Sequence, residues 1–198
     1  MSPHTRLPGS RRPRVRMVTA LCAGLLALTA PAHAEAPLPP PHVQKYLADG
    51  RLAGNGKLTW YGIHVYDARL YVPGAGIDSR DSAGSPFALE LTYKRSLTGR
   101  AIAASSRDEI ERLGFGSAAA RARWHEQMVK LFPDVKRDHR LAGVNVPGRG
   151  ARFYYDGVPL GSIDDPEFAN AFFAIWLDER TIAPRLRESL LRQAAAAS

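Results

Sequence analysis

Between Lys57 and Val72 runs a proline-free stretch dense in aromatic and β-branched residues, among them Trp60, Tyr61, Ile63, Val65, Tyr66, Leu70 and Tyr71. Such side chains suit a pleated, half-buried surface, so the stretch predicts one long or bent strand, or two. Period-two alternation puts His64 and Tyr66 on one strand face, and likewise Trp60 and Leu70. Pro73-Gly74-Ala75-Gly76 ends the run, since proline donates no ladder hydrogen bond and glycine favours a turn. A further strand is predicted over Phe87–Tyr93. Thr98 then stands in capping position for a helix running to Gly114, with Ser106 and Glu109 as an alternative, later start. Trp124, Met128, Leu131 and Phe132 recur at helical spacing before Pro133, which predicts a second helix with one buried face.

The remainder alternates again. Ala142, Val144 and Val146, the turn Pro147-Gly148-Arg149-Gly150, Phe153 and Tyr155, and the tight-turn pair Asp156-Gly157 read as a meander of antiparallel strands. Asp165-Pro166-Glu167 joins a capping side chain, a first-turn proline and an acid at the positive end of a helix whose inner face is Phe168, Phe172, Ile175 and Trp176. A last helix carries Leu186 and Leu190. Strands in runs and helices in runs predict an α+β fold.

The N-terminal segment belongs to none of this. Arg6, Arg11, Arg12, Arg14 and Arg16 precede the apolar run Val18–Leu28 and the small-residue site Ala32-His33-Ala34, which reads as a signal peptide over residues 1–34, cleaved after Ala34. Ser10-Arg11-Arg12 also fits a twin-arginine start. Cys22 lacks the small preceding residue of a lipidation site. The apolar run is shorter than the roughly 20 residues of a spanning helix, so the expected product is a soluble exported domain, with a periplasm as its compartment. Cleavage removes the single cysteine, and with it any disulfide. The 27 basic residues fall to 22 against 19 acidic, so the formal charge drops from +8 to +3 and a nucleic-acid partner loses its electrostatic basis. The expected organisation is a proline-rich linker at 35–50, poorly ordered around Ala36–Pro41, one domain at 51–193, and an alanine-rich tail at 194–198.

Chemistry is sparse. Histidines at 42, 64, 125 and 139 stand apart, and His125-Glu126 lacks the second histidine of a helical zinc pair, so no metal site is expected. There is no nucleophile elbow and no phosphate loop, and Gly54-Asn55-Gly56 and Gly148-Arg149-Gly150 read as turns. Glu109 with Glu111, and Asp164 with Asp165, read as exposed helix and cap acids. Lys94, Arg95 and Arg100 straddle a strand end and a helix start, where guanidinium groups can hold a carboxylate, although a solvated strand end is the simpler reading. Tyr66 reads either as the polar group of an apolar cavity or as a satisfied core tyrosine.

Leu58-Thr59-Trp60-Tyr61-Gly62, Val65-Tyr66-Asp67-Ala68, Leu91-Thr92-Tyr93-Lys94-Arg95-Ser96-Leu97-Thr98-Gly99-Arg100, Asp164-Asp165-Pro166-Glu167-Phe168 and Ala174-Ile175-Trp176-Leu177-Asp178 together resemble the exported bacterial chalcone isomerase-like proteins. The resemblance covers nearly all of the mature domain. It implies an antiparallel sheet with helices packed over one face and a ligand cleft between them. Chalcone isomerases pair an arginine with polar groups that steady a phenolate and a water. Carried over residue by residue, the family's catalytic tyrosine falls at Ile102, its helix asparagine at Glu109, its strand lysine at Tyr93, its threonine at Tyr66, and its late-helix polar position near Ala169 or Asn170. Isoleucine cannot donate the hydrogen bond of a tyrosine, so no catalytic residue is assigned. In fatty-acid-binding relatives an arginine and a tyrosine hold the carboxylate. Tyr66 matches the tyrosine, and Arg51, Arg95 or Arg100 would supply the arginine.

The expected ligand-binding set is therefore Tyr66, Arg51, Tyr93, Arg95, Arg100, Ile102, Glu109 and Asn170, with no cofactor. The leading expectation is a non-catalytic binder of a small hydrophobic or amphiphilic molecule such as a fatty acid. An isomerase or lyase with a rearranged site built on Tyr66, Tyr93 and Glu109 is the alternative, and an envelope structural or interaction module is the third.

Overall fold

The computed structural model describes residues 38–78 and 84–195; the export segment lies outside them. The described residues begin with a short helix α1 (Pro41–Gln44) and the hairpin β1 (Arg51–Trp60) and β2 (Ile63–Val72), then β3 (Phe87–Tyr93). Helices α2 (Gly99–Leu113) and α3 (Ala118–Leu131) follow, then the meander β4 (Arg140–Val146), β5 (Gly150–Tyr155) and β6 (Val158–Ile163). Helices α4 (Pro166–Leu177) and α5 (Pro184–Leu191) close the fold. The six strands form one antiparallel sheet in the order β1-β2-β3-β4-β5-β6. Because Thr92 of β3 pairs with Arg140 of β4, the α2–α3 excursion leaves and rejoins the sheet at one end.

Local chemistry sets the helix ends. Thr98 Oγ1 accepts from Ala101 N at 3.2 Å to start α2, and Gly114, at φ 80, takes the left-handed conformation that ends it. Ser106 starts nothing: inside α2 its hydroxyl donates to the Ile102 carbonyl at 2.9 Å. Asp165 caps α4 by accepting from Glu167 N at 3.0 Å and Phe168 N at 3.1 Å, and it also takes the Trp124 indole N–H at 2.8 Å. One carboxylate thus ties α3 to the start of α4. Burial works against its charge, but these donors and Arg123 hold its pKa below the usual range.

Side chains of alternate parity feed two cores. Ala68, Leu70, Leu89, Leu91, Ala151 and Phe153 face the helices and join Ile110, Trp124, Met128, Phe168 and Leu190. On the opposite face, Tyr71, Ala88, Ala142, Val144 and Tyr154 pack against Val43 and Leu47. The segment 38–50, expected as linker, is therefore a strap across that face, anchored by two fully buried side chains and by a 2.9 Å hydrogen bond between the Tyr46 and Tyr154 hydroxyls. The C-terminal alanines also enter the packing: Ala194 is buried and its carbonyl accepts from Ile77 N at 2.8 Å.

Two local readings change. Gly54-Asn55-Gly56 is not a turn but lies within β1, next to a register shift between Leu52 and Gly54. A Cβ at Gly54 would strike the carbonyl oxygens of Ser189 and Leu190, so the glycine is what lets α5 lie against the edge strand. A second register shift, between the pairs Leu58–Tyr66 and Thr59–His64, leaves Val65 as an extra residue in β2. This bulge breaks the period of two, so His64 and Tyr66 do not share a face.

A candidate ligand cavity between sheet and helices

The bulge puts Val65 and Tyr66 both on the wall of a cavity of about 550 Å³ between the sheet and helices α2 and α4. That size lies within the roughly 300–1,000 Å³ of small-molecule sites. Strand parity supplies Leu89, Leu91, Tyr93 and Phe153 from the sheet; α2 supplies Ile102, Ser105, Ser106 and Glu109, and α4 supplies Phe172, Phe173, Ile175 and Trp176. The wall is predominantly apolar and aromatic. Trp60, Tyr61 and Ile63, around the β1–β2 turn, also line the cavity and are exposed, as is Ile182, so these residues mark its mouth. Tyr66 and Tyr93 sit opposite one another in the β2–β3 register, near the mouth end of both strands, while Leu91 and Leu89 lie progressively deeper.

The polar groups on this wall are few and well defined. The Tyr66 hydroxyl accepts from the Trp176 indole N–H at 2.9 Å, which leaves its own proton to donate. Burial pushes the Tyr66 phenol well above its ordinary pKa; the Trp176 hydrogen bond offsets part of this and the nearby charge of Glu109 adds to it. Burial, followed by the Tyr66 neighbour, does the same to Tyr93. Both phenols are neutral donors at physiological pH, with rings edge to face at 5.9 Å between centroids. Glu109 is held by Arg112 through two N–H donors at 3.0 and 2.8 Å, and Asp108 by Arg107 at 2.9 and 2.6 Å. Arg95 lines the cavity, is exposed, and has no acidic partner among the described residues. No histidine lines the cavity, and no group of three metal-ligating side chains occurs among the described residues.

Of the eight residues singled out in the sequence, Tyr66, Tyr93, Arg95, Ile102 and Glu109 line this one cavity. The other three do not. Arg51 points to the far end of the hairpin, where its guanidinium donates to the carbonyls of Gly74 at 3.3 Å, Gln193, and Ala195 at 2.9 Å, fastening the C-terminal segment. Arg100 is exposed on the first turn of α2. Asn170 is exposed too, because the helical rotation that buries Phe168, Phe172 and Trp176 turns it outward. His64 is also outside the cavity, 2.8 Å from Asp67, which in turn pairs with Lys94 at 3.1 Å. Sequence reasoning counted Trp176 only as a packing residue. The signal it missed is that a buried indole N–H needs an acceptor, and Tyr66 is the acceptor within reach.

An antiparallel sheet with helices over one face and a mostly apolar cavity between them defines an α+β protein of chalcone isomerase-like fold. The solved structure of an Arabidopsis thaliana fatty-acid binding protein superposes with a TM-score of 0.57 at 16% identity, covering 74% of this chain and 88% of that one. The chalcone isomerase-like family model matches residues 48–192, and the chain belongs to that family. A search of curated proteins gives no sequence match.

Proposed function

We propose that this protein is an exported, non-catalytic carrier of a small amphiphile, with a fatty acid as the ligand type that fits best. The observation that carries the reading is the pairing of two neutral phenol donors, Tyr66 and Tyr93, with a cavity whose wall is predominantly apolar and aromatic. A carboxyl or carbonyl head accepts from Tyr66 and Tyr93 near the mouth, within the field of Arg95, and the acyl tail lies deeper among Leu89, Phe132, Phe153 and Phe172. Buried hydrogen bonds to an ionised head are strong, and tail burial adds about 0.8 kcal/mol per methylene. The fatty-acid binding protein of the same fold makes such a ligand a reasonable first choice. Export rests on the basic, apolar and small-residue segments of residues 1–34, and a periplasm is the compartment proposed.

Turnover is disfavoured by the same wall. General acid–base catalysis works best with a group that titrates near the operating pH. Both phenols are driven away from that range, and the two cavity carboxylates are engaged by arginines. At Ile102 the wall is hydrocarbon.

Native mass spectrometry of protein recovered from its own envelope should show one bound acyl species per chain. Titration with a fluorescent polyene fatty acid should give one site, weakened about tenfold in Tyr66→Phe, the worth of one charge-assisted hydrogen bond. Empty protein that also ignores the probe would overturn the carrier reading. Turnover of a screened substrate that disappears in Tyr66→Phe would replace it with an isomerase or lyase.

A further inference from the structure

The β1–β2 turn has a composition that folding does not explain. Tyr61 is 90% exposed, Trp60 50% and Ile63 51%, and across the mouth Ile182 is 44% exposed. These are four of the six large apolar side chains exposed among the described residues, and all four line the cavity. Tyr61 holds φ 46 and Gly62 φ 77, so a bulky aromatic occupies a left-handed turn position usually filled by glycine or asparagine. The Trp60 and Tyr61 rings meet edge to face at 5.2 Å, forming a single aromatic projection. A side chain so exposed and so placed contributes little to the core and costs backbone strain.

We propose that this tip, with Ile182, docks the protein on the surface of a bilayer carrying anionic headgroups and opens the cavity directly to the lipid. Three observations select a bilayer over a protein. The patch is a turn with four exposed apolar side chains, where a stable protein interface engages about 20–30 residues on each side. Tyrosine and tryptophan, with apolar bodies and polar edges, are the side chains that favour the membrane–water boundary. The tip is continuous with the cavity wall, so an acyl chain entering from the bilayer stays in contact with apolar surface throughout. The charges at the mouth add the preference for anionic lipid. Asp108 and Glu109 are each paired with an arginine, whereas Arg95 stands exposed without an acidic partner among the described residues. Seating is shallow and reversible, as a carrier requires. The delivery role rests on the carrier reading; the docking does not.

The test is co-sedimentation of processed protein with lipid-loaded vesicles of phosphatidylcholine alone or mixed with phosphatidylglycerol, beside uptake of the fluorescent fatty acid from vesicle-free solution. Wild type should sediment with the mixed vesicles and be released by salt. Tyr61→Ser and Trp60→Ser should each weaken that binding roughly tenfold, through lost apolar burial. Arg95→Gln should weaken it about fivefold on anionic vesicles and leave the neutral ones unchanged. Circular dichroism and melting confirm that each variant folds. Wild type that takes up the soluble fatty acid but stays in the supernatant with both vesicle types would overturn docking and leave the carrier reading standing. Tip variants that sediment like wild type, or a solution dimer that Tyr61→Ser dissolves, would overturn it as well. Failure to take up the soluble acid, with vesicle binding intact, would instead count against the carrier and keep the docking.

Discussion

The two faces of the sheet are closed by opposite means. Under α2 and α4 the layer is bridged by rigid aromatics that meet mostly edge to face, Phe153 with Phe172 and Phe172 with Trp176, and a cavity of about 550 Å³ remains between them. Across the other face lies only the strap 38–50, yet Val43 and Leu47 reach no measurable and 2% exposure against Tyr71, Ala88, Val144 and Tyr154. The polar groups are distributed in reverse. The cavity face carries neutral phenols, and its carboxylates Asp108 and Glu109 are paired with arginines. The strapped face buries a carboxylate: Glu90 is 1% exposed, 3.8 Å from Arg69 and 4.0 Å from His42, and neither of its oxygens has a hydrogen bond. A thin cover can thus pack tightly while a thick one leaves space, so the space under the helices is a property of their side chains and not of incomplete coverage.

That contrast can be broken by mutation. The largest loss is expected from Phe168→Ala, where a fully buried ring stacked on Phe172 and edge-on to Trp124 is removed from the junction of α3 and α4; about 3–5 kcal/mol of stability should go, read from urea denaturation. Leu47→Ala should cost about 2–5 kcal/mol, because it deletes a side chain only 2% exposed and clustered with Val43, Tyr71 and Val144. Ile102→Ala should cost only about 1 kcal/mol, since Ile102 already borders empty space and alanine favours the helix. Equal losses for Leu47→Ala and Ile102→Ala would mean the cavity is closed in solution.

The smallest effect is a pH dependence on the strapped face. Burial raises the Glu90 pKa, with Arg140 and Arg69 opposing and Asp156 reinforcing the shift. Below the ordinary carboxylate range of about 4, both the folded and unfolded chains hold the proton and Glu90 exacts no penalty. As pH rises through the raised folded value, the unfolded chain has already released its proton, and stability is lost. Glu90→Gln should therefore be more stable than wild type at neutral pH, with the advantage shrinking on acidification toward pH 4. An advantage that grows on acidification would show that the carboxylate is stabilised as an anion.

How far the sequence spoke for these two faces depended on the range of the interaction. Thr98, Gly114 and Asp165 act within a few residues of themselves, so the start and end of α2 and the start of α4 were legible. The meander was legible for the same reason, through Asp156-Gly157. Gly54 and Val65 were not, because their roles appear only once another element is in place: α5 against β1, and the β1 register against β2. Arg51 was drawn toward the site by its charge, although its partners are carbonyls some 140 residues further along the chain. The strap was hidden by prolines that suggested a linker, while Val43 and Leu47 carried the apolar spacing of one helical turn. In the cavity, Tyr66, Tyr93, Ile102 and Glu109 were found through family resemblance. The Trp176 to Tyr66 hydrogen bond and the aromatic mouth were not.

The central claim is that the space between sheet and helices exists to be occupied. Filling it decides the matter most directly: titrate wild type and Ile102→Trp side by side with the fluorescent fatty acid, having confirmed equal helix content and a melting temperature at least that of wild type. The account predicts one site in wild type and a loss of at least tenfold in Ile102→Trp, because an indole at position 102 occupies the tail's volume. Equal affinity in the two proteins would contradict it.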